Sequence, residues 1–282
     1  MIKTPLSTVI GGAFWTPKAT ILGSASKTFE QLIKSIFANN EQGFAYDPND
    51  MSTMFQDAAG VTPVTGVGQP VGLIKDKSGR GNHAMQTVSA SRPILRQNAT
   101  TGAYYLEFDG SDDFLQTNNI DFTGTDKVSL FAGVRNYATS TVGVLTELSS
   151  SADSTTNTGS FYLAVPSVNN FRAQARGTSS TASFVFIPVN SAAKLPSIFT
   201  AKYDLANKVT LRLDSSQTEG VGLNVQGRFN SYPLYIGRRG GTSLPFNGHI
   251  YGLIGIGKLT SDSETAAIEK ELAKRVGVAL NV

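Results

Sequence analysis

Few side chains in this 282-residue sequence could catalyse a reaction, because it contains two histidines and no cysteine. His83 and His249 lie outside any His-Glu-x-x-His zinc motif, and no Gly-x-Ser-x-Gly nucleophile elbow occurs. Hydrolysis of a glycan requires two carboxyl groups placed about 5 Å apart across one sugar bond. Glu107 and Asp109 share a strand face at spacing i,i+2, but Asp109 belongs to a turn. We therefore expect no catalytic residues, no organic cofactor and no enzymatic activity.

The densest acidic cluster follows a short apolar alternation. Leu106 and Phe108 alternate with polar residues, and the Asp-Gly pair that begins at Asp109 marks a turn. Asp109, Asp112 and Asp113 then place three carboxylates within that turn, where carboxylate and backbone oxygens could bind Ca²⁺. The alternative is a structural turn held by Asx hydrogen bonds. Both interpretations remain open from the sequence.

Two arginines and an aromatic side chain are separate candidates for binding a glycan. Arg238 and Arg239 lie in the glycine-rich segment 237–241 and could hold an anion such as sulfate or a sugar acid. Tyr137 is a candidate for stacking on a sugar. The alternatives are a solvated turn for the arginines and a core position for the tyrosine. We name Tyr137, Arg238 and Arg239 as candidate glycan-binding residues.

Composition excludes several classes of protein. The formal net charge is only +3, and the lysines and arginines are scattered, so no nucleic-acid partner is expected. No window approaches the 18 or more apolar residues of a membrane span, and Pro5 interrupts the run that a signal peptide would need. We expect a soluble protein, made in the cytoplasm and not inserted into a membrane. The lack of cysteine also excludes a disulfide framework.

Regularly spaced strands and turns fill the middle of the chain, with no helical pattern between them. This arrangement is typical of an all-β protein built as an antiparallel β-sandwich, or jelly roll. A further strand is expected to end at Leu73-Ile74, and a short helix carrying Met51, Met54 and Phe55 is expected after Asp47-Pro48. The predicted strands are Tyr104–Phe108, Phe114–Gln116, Val128–Arg135, Val142–Leu148, Ser160–Val165, Phe171–Arg176, Ser183–Val189, Ile198–Tyr203, Lys208–Asp214, Tyr232–Ile236 and His249–Lys258.

Two helices are predicted to flank the strands. Thr28 and Gln31 form a capping box for the first helix, and Ser261 and Glu264 form one for the second, which ends at Gly277 and acts as a lid. The first helix has an apolar stripe that either covers the sandwich core or packs on a partner. The stripe consists of Phe29, Leu32, Ile33, Ile36 and Phe37.

The segment before the first helix is interpreted as an extended arm. Residues 1–26 are rich in Gly, Pro, Ser and Thr and contain the only tryptophan, Trp15. We predict that this arm and the stripe of the following helix anchor the protein to a partner chain. The predicted division is an anchoring unit, 1–43, and a β-sandwich with its C-terminal helix, 44–282. A truncated chain that begins near Phe44 is then expected to stay folded, and a homo-oligomer is compatible with this arrangement.

Four segments carry a resemblance to a known family: Phe108-Asp-Gly-Ser-Asp-Asp-Phe-Leu115, Tyr203-Asp-Leu-Ala-Asn-Lys-Val-Thr-Leu-Arg-Leu-Asp214, Ile236-Gly-Arg238 and Pro245-Phe-Asn-Gly-His-Ile250. They resemble the laminin G-like domains of the concanavalin A-like lectin and glucanase superfamily. The resemblance covers about residues 70 to 280 and implies a concanavalin A-like sandwich. The segment 37–84, which begins Phe37-Ala-Asn-Asn40 and ends Asp76-Lys-Ser-Gly-Arg-Gly-Asn-His-Ala84, further resembles uncharacterised proteins of tailed bacteriophages.

These resemblances imply a virion protein that contacts other virion proteins through its N-terminal arm. The expected place is the tail tip, baseplate or a fibre, where a lectin-like domain serves adhesion or binds a host-surface glycan. A capsid-decorating protein is the alternative within this class. A glycan-degrading enzyme is the alternative from another class, and an acidic pair facing a cleft would favour it.

Overall fold

A computed structural model describes residues 27–280, except 138–141, 151–156, 166–169, 179–181, 189–195 and 220–226. The described elements are two α-helices, two short 3₁₀ turns and strands that pair antiparallel throughout. The helices are α1 (Phe29–Ile36) and α2 (Asp262–Val276), and the 3₁₀ turns are Met51–Thr53 and Ser89–Ser91. The strands are β1 (Gly43–Tyr46), β2 (Met54–Phe55), β3 (Leu73–Ile74), β4 (Ala84–Met85), β5 (Ile94–Gln97), β6 (Tyr104–Asp109), β7 (Leu115–Asp121), β8 (Lys127–Asn136), β9 (Gly143–Leu148), β10 (Ser160–Val165), β11 (Asn170–Arg176), β12 (Ala182–Pro188), β13 (Pro196–Asp204), β14 (Val209–Leu213), β15 (Ser216–Glu219), β16 (Ser231–Ile236) and β17 (Asn247–Ile256).

The strands form two sheets. In sheet A the order is β15-β14-β13-β8-β17-β6-β5, and β1 pairs with the second half of β17. In sheet B the order is β12-β11-β10-β9-β16-β7-β4-β3-β2. Neighbouring strands in both sheets are often distant in the sequence, as in a jelly roll. The all-β sandwich predicted from strand spacing is confirmed.

The core between the sheets follows from the two-residue period of a strand. In β8, Leu130, Ala132 and Val134 point into the space between the sheets, where apolar side chains from both sheets meet. Phe131 points the other way, into a second apolar cluster that lies under the helices. Sheet A is therefore buried on both faces, which explains why β8 and β17 are nearly continuous apolar runs.

Every strand predicted between Tyr104 and Lys258 is present, with ends shifted by a few residues. The expected short helix around Met51 is wrong: a single 3₁₀ turn at Met51–Thr53 leads directly into β2. Strands β1, β4, β5 and β15 were not predicted. Each has four residues or fewer, too short to show a period in the sequence.

The apolar stripe of α1 packs on the sandwich itself. Phe29, Leu32, Ile33, Ile36 and Phe37 are all buried, in one cluster with α2 and the outward side chains of sheet A. The anchoring role predicted for these five residues is therefore wrong, because no face of the stripe is left for a partner. A boundary at residue 43 would separate a helix from the sheet that it covers. Trp15 and the rest of the arm lie outside the described residues.

Helix α2 covers the same side of sheet A, as the lid prediction required. Ser261 and Glu264 form the predicted capping box, and Gly277 ends the helix at φ 82°. The Arg275 guanidinium donates to the buried Asp47 carboxylate at 2.5 Å and lies 4.1 Å from the Phe29 ring centroid, so α2 is tied to both α1 and the segment after β1. Within the described chain, neither helix has the length and apolar character needed to cross a bilayer.

Candidate functional site

One row of directly paired residues crosses the outward face of sheet B. Its members alternate along their strands with residues of the inter-sheet core, so their side chains point away from that core. We call this set the sheet B row. In spatial order it consists of Phe55, Leu73, Met85, Gln116, Tyr235, Glu147, Tyr162 and Gln174.

Towards one end of the row lies a buried carboxyl group. Glu147 has a side chain only 2% exposed, and Tyr235 and Tyr162 flank it on the neighbouring strands. Its Oε1 lies 3.5 Å from Arg239 Nε, while Oε2 has no hydrogen-bond partner among the described residues. A buried polar atom without a partner costs free energy, and an absent ion, water or ligand group is one explanation for it.

Burial also changes the protonation of this group. Loss of hydration raises the pKa of the Glu147 carboxyl to about 7, although the Arg239 guanidinium and the Gly240 amide act in the opposite direction. Near neutral pH the carboxyl group therefore exists in both forms. It can accept a hydrogen bond when ionised and donate one when protonated.

Tyr162 links Glu147 to the arginines. Its hydroxyl donates to Gln174 Oε1 at 2.9 Å, and Arg172 donates to the same oxygen. The guanidinium carbons of Arg172 and Arg239 lie 5.3 and 5.5 Å from the Tyr162 ring centroid, within cation–π range. Hydrogen bonds and stacking thus hold the tyrosine, the glutamine and both arginines in fixed positions around the carboxyl group.

An open cleft of about 290 Å³ lies farther along the same face. Met85 and Gln116 of the sheet B row line it, together with Phe114, Val88 and Asn118. The cleft thus offers an aromatic ring, apolar side chains and amides to a ligand, a mixture that suits the polar and apolar faces of a sugar ring.

The loop after β16 joins the cleft to Glu147. Gly241 lies against the Phe114 ring, where a Cβ would come within 3.0 Å, and its φ of +69° favours glycine. Arg239 of the same loop lies beside Glu147, so one of the two arginines named from the sequence belongs to this cluster. Arg238 donates to the Thr242 carbonyl at 3.1 Å and helps to hold the loop.

Tyr137 does not join these residues. It follows β8 of sheet A, and its ring meets His249 edge-on at 4.8 Å. His249 stacks on Tyr105 at 3.9 Å, and burial lowers the pKa of His249 to about 4 although Glu107 opposes the shift. Tyr137 therefore belongs to sheet A, whereas Arg238 and Arg239 follow a strand of sheet B, and the three candidate residues do not lie together.

The three aspartates of the acidic turn satisfy protein groups. Asp109 Oδ1 accepts from the Ser111 amide at 2.8 Å, Asp113 Oδ2 accepts from the Asp109 amide at 2.9 Å, and Asp112 Oδ2 accepts from the Ser91 hydroxyl at 2.5 Å. No group of three acidic, histidine or cysteine residues that could hold a metal occurs in the described part of the chain. The expected carboxylate cluster is not formed, because each side chain turns to a different partner.

Sequence reasoning missed Glu147, Tyr162, Tyr235 and Gln174. Only strand register brings them together, since they come from four strands. One signal was present in the sequence. The strand Gly143-Val-Leu-Thr-Glu-Leu148 is otherwise apolar or small, and a carboxylate in a fully buried strand indicates a special role.

No protein-family model and no curated protein matches this sequence. The fold is similar to solved binding domains of botulinum neurotoxins. The serotype D binding domain aligns at a TM-score of 0.56, with 8% identity, over 82% of this chain and 52% of that chain. A structure of botulinum neurotoxin type C, whose cell entry is described as dependent upon interaction with two ganglioside molecules, aligns at 0.56, with 7% identity, over 84% and 53%.

The serotype D domain in complex with N-acetylneuraminic acid aligns at 0.53, with 9% identity, over 85% of this chain and 52% of that chain. This chain therefore spans about half the length of the structures it matches. At such low identity the similarity shows the fold alone, a β-sandwich of lectin-like architecture.

Proposed function

We propose that this protein is a non-catalytic glycan-binding domain that serves adhesion, and that it binds saccharide on the outward face of sheet B. The observation that carries the proposal is the unpartnered Oε2 of Glu147, which among the described residues has no hydrogen-bond partner and is held between Tyr162 and Tyr235 in a row that continues into an open cleft. A sugar hydroxyl placed there would satisfy the carboxyl oxygen. The ring would then extend over the side chains that line the cleft.

The names of the structural neighbours support the same class of function, since they are receptor-binding domains and one is in complex with a sugar acid. Absence of catalysis belongs to the proposal. The sheet B row contains one carboxyl group, whereas glycoside hydrolysis uses two that flank the same bond. Release of reducing sugar that is lost in Glu147→Gln would contradict this part.

A binding experiment with variants on both sheets tests the location. The purified full chain is applied to an oligosaccharide array, and affinities for the bound sugars are measured by calorimetry. Phe114→Ala and Gln116→Ala are expected to weaken binding about tenfold or more, since stacking and paired hydrogen bonds each contribute about 1 kcal/mol or more. Tyr137→Ala on sheet A serves as the matched control and should bind normally. Loss of binding in Tyr137→Ala alone would move the site to sheet A.

We further propose that the domain is displayed on the virion of a tailed bacteriophage, at the tail tip, baseplate or a fibre, with capsid decoration as the alternative. The resemblance of the segment 37–84 to tailed-phage proteins supports this placement, and residues 1–26 remain the candidate contact with other virion proteins. Mass spectrometry of purified particles tests it. We expect this protein in purified particles at the copy number of a tail protein. A copy number typical of capsid proteins would favour decoration. Absence of the protein from the particles would contradict both placements.

A further inference from the structure

Building on the proposed glycan binding, we infer that the site around Glu147 and Arg239 selects saccharides that carry a carboxylate or sulfate group. This site lies at one end of the sheet B row, where the row meets the loop after β16. The fold and the cleft alone leave the class of saccharide open, whereas the charged groups at this end restrict it.

The charges at this end of the row favour an anion. The charged groups that act on the Tyr162 hydroxyl are the guanidinium groups of Arg172 and Arg239 and the carboxyl group of Glu147. Both guanidinium groups thus lie close to Tyr162, at 5.3 and 5.5 Å from its ring centroid. An arginine presents a planar set of donors that matches both carboxylate and sulfate oxygens.

Among the described residues at this site, Glu147 Oε2 and Arg239 Nε are buried without a hydrogen-bond partner. Glu147 Oε1 faces the Arg239 guanidinium, and Gln174 Oε1 is already used by Tyr162 and Arg172. Glu147 Oε2 is the buried oxygen without a partner among the described residues. A protonated Oε2 would donate to an oxygen of the bound anion, and the Arg239 side chain would balance the anion's charge.

This arrangement couples ligand binding to a proton. Tyr162 from β10, Tyr235 from β16 and Arg239 from the loop all face Glu147, and burial raises the pKa of both tyrosines, so these neighbours keep a constant charge near pH 7. A bound anion disfavours the ionised carboxylate and raises the pKa of Glu147 above its ligand-free value of about 7. Affinity should be greatest below pH 7 and fall as the pH rises through the pKa of the complex.

The test compares matched ligands across pH with the full-length protein. A panel of neutral, uronate-containing and sulfated oligosaccharides is screened, and each bound acidic sugar is paired with its methyl ester or desulfated form. We expect bound sugars to be acidic, their neutral partners to bind at least tenfold more weakly, and affinity to fall up to about tenfold per pH unit above pH 7. Glu147→Gln should keep the low-pH affinity and lose the pH dependence, whereas Arg239→Gln should lose acidic sugars. The control Arg228→Gln, an exposed arginine near Thr123, should bind normally.

The possible outcomes separate the ligand class from glycan binding itself. Preference for uronate over sulfate, or the reverse, identifies the anion within the proposed class. Neutral sugars that bind as tightly as acidic ones, or acidic binding that is independent of pH, would overturn the inference and leave glycan binding intact. Weakened acidic binding in a folded Glu147→Gln at every pH would also overturn it, since Glu147 would then act as an ionised acceptor. A panel in which no sugar of any charge binds would overturn the proposed function itself.

Discussion

Glu147 is the residue on which the proposed function chiefly rests. Most carboxylates in the described part of this protein are exposed or bonded to protein donors, whereas Glu147 is buried with one oxygen lacking a described partner. Leaving a carboxyl oxygen unpaired lowers stability, and a functional role is one reason for which a protein keeps such a group. The burial of Glu147 should therefore affect stability as well as binding.

Substitution of Glu147 should change how stability depends on pH. The carboxyl pKa is about 7 in the folded protein and 4.5 in the unfolded chain. The folded state thus binds the proton more tightly, and the contribution of Glu147 to stability is present below pH 4.5 and lost as the pH rises through 7. The unfolding free energy of the native protein relative to Glu147→Gln should fall by about 1–3 kcal/mol between about pH 5 and 8.

Urea unfolding of both proteins at several pH values measures this difference. The comparison with Glu147→Gln removes the effects of other groups, such as Asp113, whose pKa burial raises to about 6. A difference in unfolding free energy that stays constant across this pH range would contradict the buried environment assigned to Glu147.

The acidic turn gives a second prediction about individual residues. Because Asp109, Asp112 and Asp113 accept hydrogen bonds from different protein groups, millimolar Ca²⁺ should leave the melting temperature unchanged. Asp113→Ala should itself destabilise the protein by about 1–3 kcal/mol, since the Asp109 amide loses its acceptor. A calcium-dependent rise in melting temperature that disappears in an Asp112→Ala/Asp113→Ala variant would restore the metal site predicted from the sequence.

Among the helices and strands, α1 is the element for which the sequence alone allowed two interpretations. Its spacing of apolar residues and its capping box predicted a helix correctly, yet an apolar stripe looks the same whether it covers its own sheet or a partner. The deciding information is the outward face of sheet A, where Phe131, Ile254 and Ile256 need a cover. These residues lie far from α1 in sequence, so only the three-dimensional arrangement relates them.

A pair of neighbouring substitutions in α1 measures its contribution to the fold. Ile33 is 1% exposed, and Ile33→Ala should lower the unfolding free energy by about 2–5 kcal/mol through lost packing and a cavity. Lys34→Ala, at a side chain 74% exposed, should change it by about 0.5 kcal/mol or less. Chemical denaturation provides both values. Equal stability of the native protein and Ile33→Ala would return α1 to the role of a partner-binding helix.

The strands also differ in how much of their arrangement the sequence alone could predict. Long strands such as β8 and β17 could be predicted because each carries enough residues to display a pattern. The candidate site could not, because Gln116, Tyr235, Glu147 and Tyr162 acquire a common location only through antiparallel register across β7, β16, β9 and β10. A shift of one residue in any of these strands would turn its member of the row into the core.

On the scale of the whole molecule, the two outward faces have different uses. The outward face of sheet A is covered by α1 and α2, which are held there by apolar packing and by the buried Arg275–Asp47 pair. The outward face of sheet B carries the row of tyrosines, amides and Glu147 next to an open cleft. One face thus stabilises the sandwich, and we propose that the other binds the ligand.

Amide chemical-shift mapping of the ¹⁵N-labelled full chain, titrated with an oligosaccharide that binds, tests this assignment most directly. We expect shifts at Gln116, Glu147, Tyr162 and Tyr235 and in the loop 237–246, with the residues near Tyr105 unchanged. Shifts concentrated around Tyr105, Tyr137 and His249 on sheet A, with the sheet B row unaffected, would contradict it.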